Sequence, residues 1–192
     1  MFAGQAGAIS ITQNEFITAQ SLDPGMMQAG VFFSIDSQYD SFYPTMRYGL
    51  GPLFEIGAKF GAITDVKPDD KNGVFGGVDL KYQLIKQTAG IPIDMAVDLG
   101  FDTTLISRRN VSEVKFSALF SRSFDLMDRE HKFTPYGGMQ VSGLYGSFLP
   151  NDQTNLNVFV GLEWKISQKF MVLLEAKTGR TTVGGAGIRS EF

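Results

Sequence analysis

Leu53-Phe-Glu-Ile-Gly-Ala-Lys-Phe-Gly-Ala-Ile-Thr64 carries apolar side chains on its even positions, Phe54, Ile56, Ala58, Phe60 and Ala62, with Glu55, Gly57, Lys59 and Gly61 between them. A period of two belongs to a strand, whose successive side chains leave on opposite faces. One face is therefore apolar, and the other carries charge and glycine. The pattern continues outward along the chain. Val74 to Leu84 sets Val74, Val78, Leu80, Tyr82 and Leu84 against Asp79, Lys81 and Gln83. Ile91 to Phe101 sets Ile91, Ile93, Met95, Val97, Leu99 and Phe101 against Asp94 and Asp98, and Leu156 to Ile166 sets Leu156, Val158, Val160, Leu162, Trp164 and Ile166 against Asn157, Glu163 and Lys165.

The same test over the whole chain predicts ten strands: 26–36, 43–50, 53–64, 73–85, 91–102, 112–124, 132–145, 155–166, 169–178 and 181–192. Most run to about 10 to 13 residues, well beyond the usual ~5 to 6 of a globular strand. A strand of ~10 residues tilted by ~45° covers roughly 23 Å, close to the apolar band of a membrane barrel. Turns at Gly51-Pro52, 86–90, 125–131 and Ser167-Gln168 fall at one end, and those at 37–42, 65–72, 103–111, 146–154 and 178–180 at the other. Sequential hairpins of this kind make an all-β, up-and-down antiparallel sheet, and closing it into a barrel would remove its edges.

Composition narrows the function classes. The 192 residues include no Cys, one His and a net charge of −3, which removes disulfide scaffolds, thiolate metal sites and Cys nucleophiles. No Lys/Arg block supplies the footprint a phosphate backbone needs, so nucleic acid is not an expected partner. No stretch approaches the ~18 consecutive apolar residues of a membrane helix, and the first residues carry neither a basic nor an apolar targeting region.

Alternation alone does not say which face is inside. Small residues crowd the charged face (Gly57, Gly61, Gly77, Gly100, Gly161, Gly185 and Gly187), as a concave interior requires. Its charges come as opposite-sign neighbours: Asp79/Lys81, Glu113/Lys115, Glu163/Lys165, Glu175/Lys177, Arg189/Glu191 and Glu55/Lys59. Aromatics gather near strand ends, Phe124, Phe133, Trp164, Phe170 and Phe192 at one end and Tyr43, Phe101 and Tyr145 at the other, as two membrane interfaces favour.

The last strand reads Val-Gly-Gly-Ala-Gly-Ile-Arg-Ser-Glu-Phe192, with Ala186 and Ile188 on the face of Phe192. It resembles the final strand of bacterial outer-membrane β-barrels, in which a terminal Phe is the signal read by the barrel-insertion machinery. From about Met26 to Phe192 the chain is similar to that class. The resemblance implies a closed transmembrane barrel of about ten strands, with eight as the alternative, in the bacterial outer membrane with both termini periplasmic. It implies two partners, the lipid bilayer and the insertion machinery; a monomer without cofactor or metal is expected. A soluble lipocalin-like barrel binding an apolar ligand is the competing reading, with the faces reversed.

With the charged face inward, the lumen holds Arg47, Lys59, Lys81, Lys115, Lys165, Lys177 and Arg189 against Glu55, Asp79, Asp94, Asp98, Glu113, Glu163, Glu175 and Glu191. In so narrow a barrel these long side chains would meet and neutralise one another. The expectation is a largely occluded, mainly structural barrel, with a narrow porin-like channel for ions or small solutes as the alternative. Asp94 and Asp98, without a Lys between them, are candidates for a cation path.

Residues 1–25 lack the pattern and are read as a periplasmic leader, with a plug around Phe16-Ile17 as the sharper alternative. Catalysis is not expected, because His131 falls in the 125–131 turn at the end opposite the outer rim. Asp69-Asp70-Lys71-Asn72-Gly73 lacks the later bidentate Glu of a calcium loop and is read as a hairpin turn.

Overall fold

The alternating segments close into one sheet. The computed structural model describes residues 14–65, 72–106, 109–126, 131–146 and 153–192. Its strands are β1 (Met27–Ile35), β2 (Tyr39–Gly49), β3 (Phe54–Asp65), β4 (Gly73–Ile85), β5 (Asp94–Ile106), β6 (Arg109–Ser121), β7 (Phe124–Asp125), β8 (Lys132–Gly146), β9 (Gln153–Lys165), β10 (Phe170–Thr178) and β11 (Thr182–Glu191). Neighbours pair antiparallel in sequence order, and β6 continues to β8 with Ser117 opposite Gln140. β7 is a two-residue ribbon on the start of β8, with Phe124 opposite Phe133. The barrel closes where β1 meets β11, with Phe32 opposite Gly187. Ten long strands therefore form a wall without a free edge.

Parity decides what each face meets. Ile56, Phe60, Val78, Leu99, Phe116, Val160, Leu174 and Ile188 are exposed on the outside, whereas Arg47, Glu55, Lys81, Asp98, Lys115, Glu175, Lys177 and Arg189 are buried within. A soluble barrel does the reverse. An outer face of large apolar side chains is stable only against an apolar surround, so this is a transmembrane β-barrel, and the lipocalin-like reading fails on the direction of its apolar face. Among the described residues no helix is long and apolar enough to cross a membrane; the wall crosses with strands.

Several strands run past their predicted ends. β2 starts at Tyr39, β5 ends at Ile106 and β6 starts at Arg109. In each case residues that read as loop, such as Thr103-Thr-Leu105, keep strict alternation, with Thr104 buried like Asp102 before it and Leu105 exposed like Phe101. β5 also begins later than predicted, at Asp94, because Pro92 has no N–H to give a ladder.

The rim carrying the Gly51-Pro52 turn and Phe192 is called here the terminal rim, and the opposite one the far rim. Toward the far rim the inward face is itself apolar: Tyr39, Ile63, Phe75, Ile106, Val111 and Leu144 are all buried. The charged lumen thus lies nearer the terminal rim, beneath a layer of apolar side chains.

Candidate functional site: the lumen and the segment that crosses it

Residues 14–26 are not part of the wall; they enter the barrel from the terminal rim. The entry is a tight bend in which Met26 N–H donates to Asp23 O at 3.0 Å and Gly25 N–H to Gly49 O at 2.9 Å. Gly25 takes a φ of 82°, a left-handed value that glycine adopts without a Cβ clash.

The segment then climbs a ladder of wall side chains. Leu22 N–H donates to Glu55 Oε2 at 3.0 Å, and Ser21 N–H to Gln83 Oε1 at 3.1 Å. Lys81 Nζ donates to Gln20 O at 2.7 Å and Thr18 O at 3.1 Å. The Arg189 guanidinium donates to Phe16 O, while Glu175 accepts from Glu15 N–H at 2.8 Å and Phe16 N–H at 2.7 Å. Tyr43 OH donates to Asn14 O at 3.0 Å. Backbone groups that would be costly to bury unpaired are satisfied by wall side chains instead of by a sheet. Asn14, Phe16, Ile17 and Ala19 are at most 2% exposed.

Phe16 adopts a φ of 49°, which costs a non-glycine residue roughly 1–2 kcal/mol. It is held there by ring stacking on Phe32 at 4.4 Å, besides the Arg189 and Glu175 contacts on its backbone. A Cβ on Gly187 would lie 2.0 Å from Phe32 Cδ1, and one on Gly185 2.6 Å from Phe16 Cζ. Two glycines on β11 thus make the space for this aromatic pair.

The lumen charges fall at two levels. Nearer the terminal rim, wall residues pair with wall residues. Arg47 bridges Glu55 and Asp79, Lys81 lies 3.0 Å from Glu55, Arg189 3.4 Å from Glu163, and Lys165 4.0 Å from Glu191. The partners lie across strands, because residues two apart on one strand extend in parallel and do not face one another. Asp98 is opposite Lys81 in register, with Oδ1 buried and without a hydrogen bond. Asp94 accepts from Gln83 Nε2 and Gln87 N–H, both at 2.8 Å, closing the turn before β5. Four residues on one strand separate the two carboxylates by ~13 Å, so they do not share a cation.

Nearer the far rim, the centre of the network is Glu15. Lys115 Nζ reaches its two oxygens at 2.9 and 2.8 Å, Lys177 Nζ and Gln140 Nε2 each lie 3.1 Å from Oε1, and Lys59 Nζ lies 3.7 Å from Oε2. Asp102 completes the cluster, 2.7 Å from Lys115 and 3.0 Å from Lys59. Glu113 is opposite Asp102 in register and half-buried.

Sequence reading misses both carboxylates at this level. Asp102 carries a readable signal, since it closes the predicted strand 91–102 and shares parity with Asp94 and Asp98, yet the lumen residues read from the sequence stop at Asp98 on that strand. Glu15 carries none, since residues 14–22 have no period.

The exposed aromatics Phe124, Phe133, Trp164, Phe170 and Phe192 face outward near the terminal rim, as do Phe101 and Tyr145 toward the far rim. Tyr43 does not. It is 1% exposed and points inward, because β2 puts its odd positions in the lumen, and Phe42, 56% exposed, is the outward aromatic beside it. At the terminal rim, Phe54 stacks on Tyr82 at 4.6 Å. His131 accepts a backbone hydrogen bond from Leu126 N–H at 3.0 Å in the turn before β8. Residues 1–13, the turn residues Asp69, Asp70 and Lys71, and Asp128, Arg129 and Glu130 lie outside the described residues. Among the described residues no group of three or more His, Asp or Glu could hold a metal ion.

Among the described residues a polar cavity of about 230 Å³ opens at the terminal mouth, bounded by Gln20, Gln28, Glu163, Lys165 and Glu191. Its roof is the crossing segment.

No protein-family model and no curated protein sequence matches the chain. Among solved structures it is similar to the β domain of the Bordetella autotransporter BrkA, with 9% identity and a TM-score of 0.54 over 88% of this chain and 99% of that one. It is also similar to the N-terminal β-barrel domain of Pseudomonas aeruginosa OprF, with 14% identity and a TM-score of 0.44 over 89% of this chain and 100% of that one. The KdgM porin gives 11% identity and a TM-score of 0.44 over 86% of this chain and 99% of that one. The likeness is one of fold, a closed antiparallel barrel of the outer-membrane type.

Proposed function

We propose that this chain is a small bacterial outer-membrane barrel, with its terminal rim on the periplasmic side, that stands closed and serves mainly as a non-catalytic membrane element. The observation that carries the reading is the seating of residues 14–22 in the lumen, with Asn14, Phe16, Ile17, Thr18, Ala19 and Leu22 buried and the backbone bonded to Glu175 and Lys81 of the wall. The bilayer is the partner of the outer face, and the insertion machinery the expected reader of β11. Recording from the full chain in planar bilayers tests it: silence or rare flickers are expected, and steady openings in the nanosiemens range would overturn it.

A second reading is a narrow channel that opens when the segment withdraws. It is favoured by the polar cavity at the terminal mouth and by polar anchoring of the segment along most of its length. Deletion of residues 1–24 is its test, with a stable conductance expected where the full chain has none.

A further inference from the structure

We propose that the outer wall across the β1–β11 seam carries a seat for one glycerophospholipid of the leaflet at the terminal rim, with an acyl chain over Ser190, Ala29 and Ala58 and the phosphate at Lys169. It rests on the contact of the outer face with lipid and is independent of whether the lumen conducts.

Outward positions of five strands meet here in one register row. Phe170 of β10 is opposite Ser190 of β11, Ser190 opposite Ala29 of β1, Ala29 opposite Met46 of β2, and Met46 opposite Ala58 of β3. Three of these side chains are small, whereas Phe170, Met46, Phe60 and Ile188 around them are each more than half exposed and stand up from the wall. The result is an apolar groove of about 420 Å³, within the ~300–1,000 Å³ usual for pockets that hold a small molecule. The row also climbs. Phe170 begins β10, Ala29 is the third residue of β1 and Ala58 the fifth of β3, so the groove starts at the terminal rim and runs into the wall. It coincides with a break in the ladder: β2 pairs with β3 at Phe42 with Ala62 and again at Thr45 with Lys59, and between them Pro44, which lines the groove, has no N–H to give.

The face on which the groove lies says what covers it. The outer wall meets hydrocarbon, so the occupant is apolar and enters from the nearest headgroup layer. A chain lying between raised side chains touches protein on three sides instead of one, and gains dispersion contacts that a flat wall does not offer. The rim end of the groove carries a cation. Lys169 is exposed in the turn before β10, its carbonyl accepts from Glu191 N–H at 2.9 Å, and Ser167 Oγ accepts from Phe170 N–H at 3.2 Å, which fixes the turn. Glu191, the acidic neighbour, alternates inward toward Gln28 and Lys165. A Lys in this place lays its methylenes on apolar surface and holds its ammonium at the depth of lipid phosphates.

The test is native mass spectrometry of the full chain in detergent micelles, titrated with dioleoylphosphatidylglycerol. One tightly held lipid per barrel is expected. Ala29→Phe fills the groove and should weaken that binding about tenfold, whereas Val114→Phe, on the outer face of β6 away from the groove, should leave it unchanged. Lys169→Gln should weaken it about threefold. Dioleoylglycerol, which has the chains without the phosphate, should bind the natural chain and Lys169→Gln alike. Several lipids held with equal strength, or equal binding by Ala29→Phe and Val114→Phe, would mean annular lipid only and overturn the seat. A dimer of the natural chain that Ala29→Phe dissolves would assign the groove to a second copy, and overturn it as well. Dioleoylglycerol held as tightly as the phospholipid overturns the part given to Lys169. If Ala29→Phe does not fold, Ala58→Leu carries the same comparison.

Discussion

Lys115 and Glu15 are 100 residues apart in the chain and 2.8 Å apart inside the barrel, one on the wall and the other on the segment that crosses it. That contact makes the position of residues 14–22 an electrostatic matter as much as one of packing. Deleting one partner of a buried ion pair costs about 3–5 kcal/mol when the other is left without compensation.

The absence of cysteine in the chain gives a direct probe of the seating. Ala19 is 0% exposed, so a thiol placed by Ala19→Cys is expected to resist maleimide labelling in the folded barrel. Adding Glu15→Gln should speed labelling about tenfold or more, as expected when a contact worth at least ~1.4 kcal/mol is lost. Equal rates in the two backgrounds would show that Glu15 does not hold the segment.

Phe16 has its strained φ stabilised by the Phe32 ring. Replacing Phe32 with Ala removes the stack and opens a cavity, at a cost of about 3–5 kcal/mol. Denaturant unfolding from lipid vesicles measures it, and a loss under ~1 kcal/mol would mean that the aromatic pair is incidental.

Arg47 joins Glu55 and Asp79 through separate guanidinium nitrogens. Arg47→Lys keeps the charge without the planar fork, so one carboxylate loses its partner and stability is expected to fall by about 1–3 kcal/mol. Arg47→Ala should cost more, since both carboxylates then lose the cation. The order of the two losses, read from urea midpoints, is the test.

Val160 is 63% exposed in the middle of β9. If lipid covers that face, Val160→Arg costs ~2–4 kcal/mol at mid-bilayer. A neutral effect on refolding into vesicles would mean that water, not lipid, meets this face.

Much of the wall was legible because a barrel strand repeats its environment every second residue. Leu53 to Thr64 alone shows which residues share a face, the glycines and paired charges of one face mark it as the inner one, and the strand count follows from applying the same parity elsewhere. Two kinds of residue escaped it. Tyr43 was placed by its aromatic character, although the inward parity of Arg47, four residues on, puts it in the lumen. Glu15 belongs to a stretch whose partners are scattered over the wall, from Lys59 to Lys177, and no local spacing encodes contacts with side chains so far away. The apolar layer at the far rim was missed for a related reason: Ile63, Phe75 and Ile106 lie at strand ends, where both faces are apolar and the alternation fades.

The seam between β1 and β11 sets an order of events in time. β11 supplies Arg189 to Phe16 O and the glycines that admit Phe16 and Phe32, so these contacts exist only once the last strand has arrived. Until then the segment has lost one side of its cradle, and the sheet is an open ribbon with two bare edges. Seating and closure consequently reward each other, and residues 14–22 become a template on which the final strand completes the cylinder.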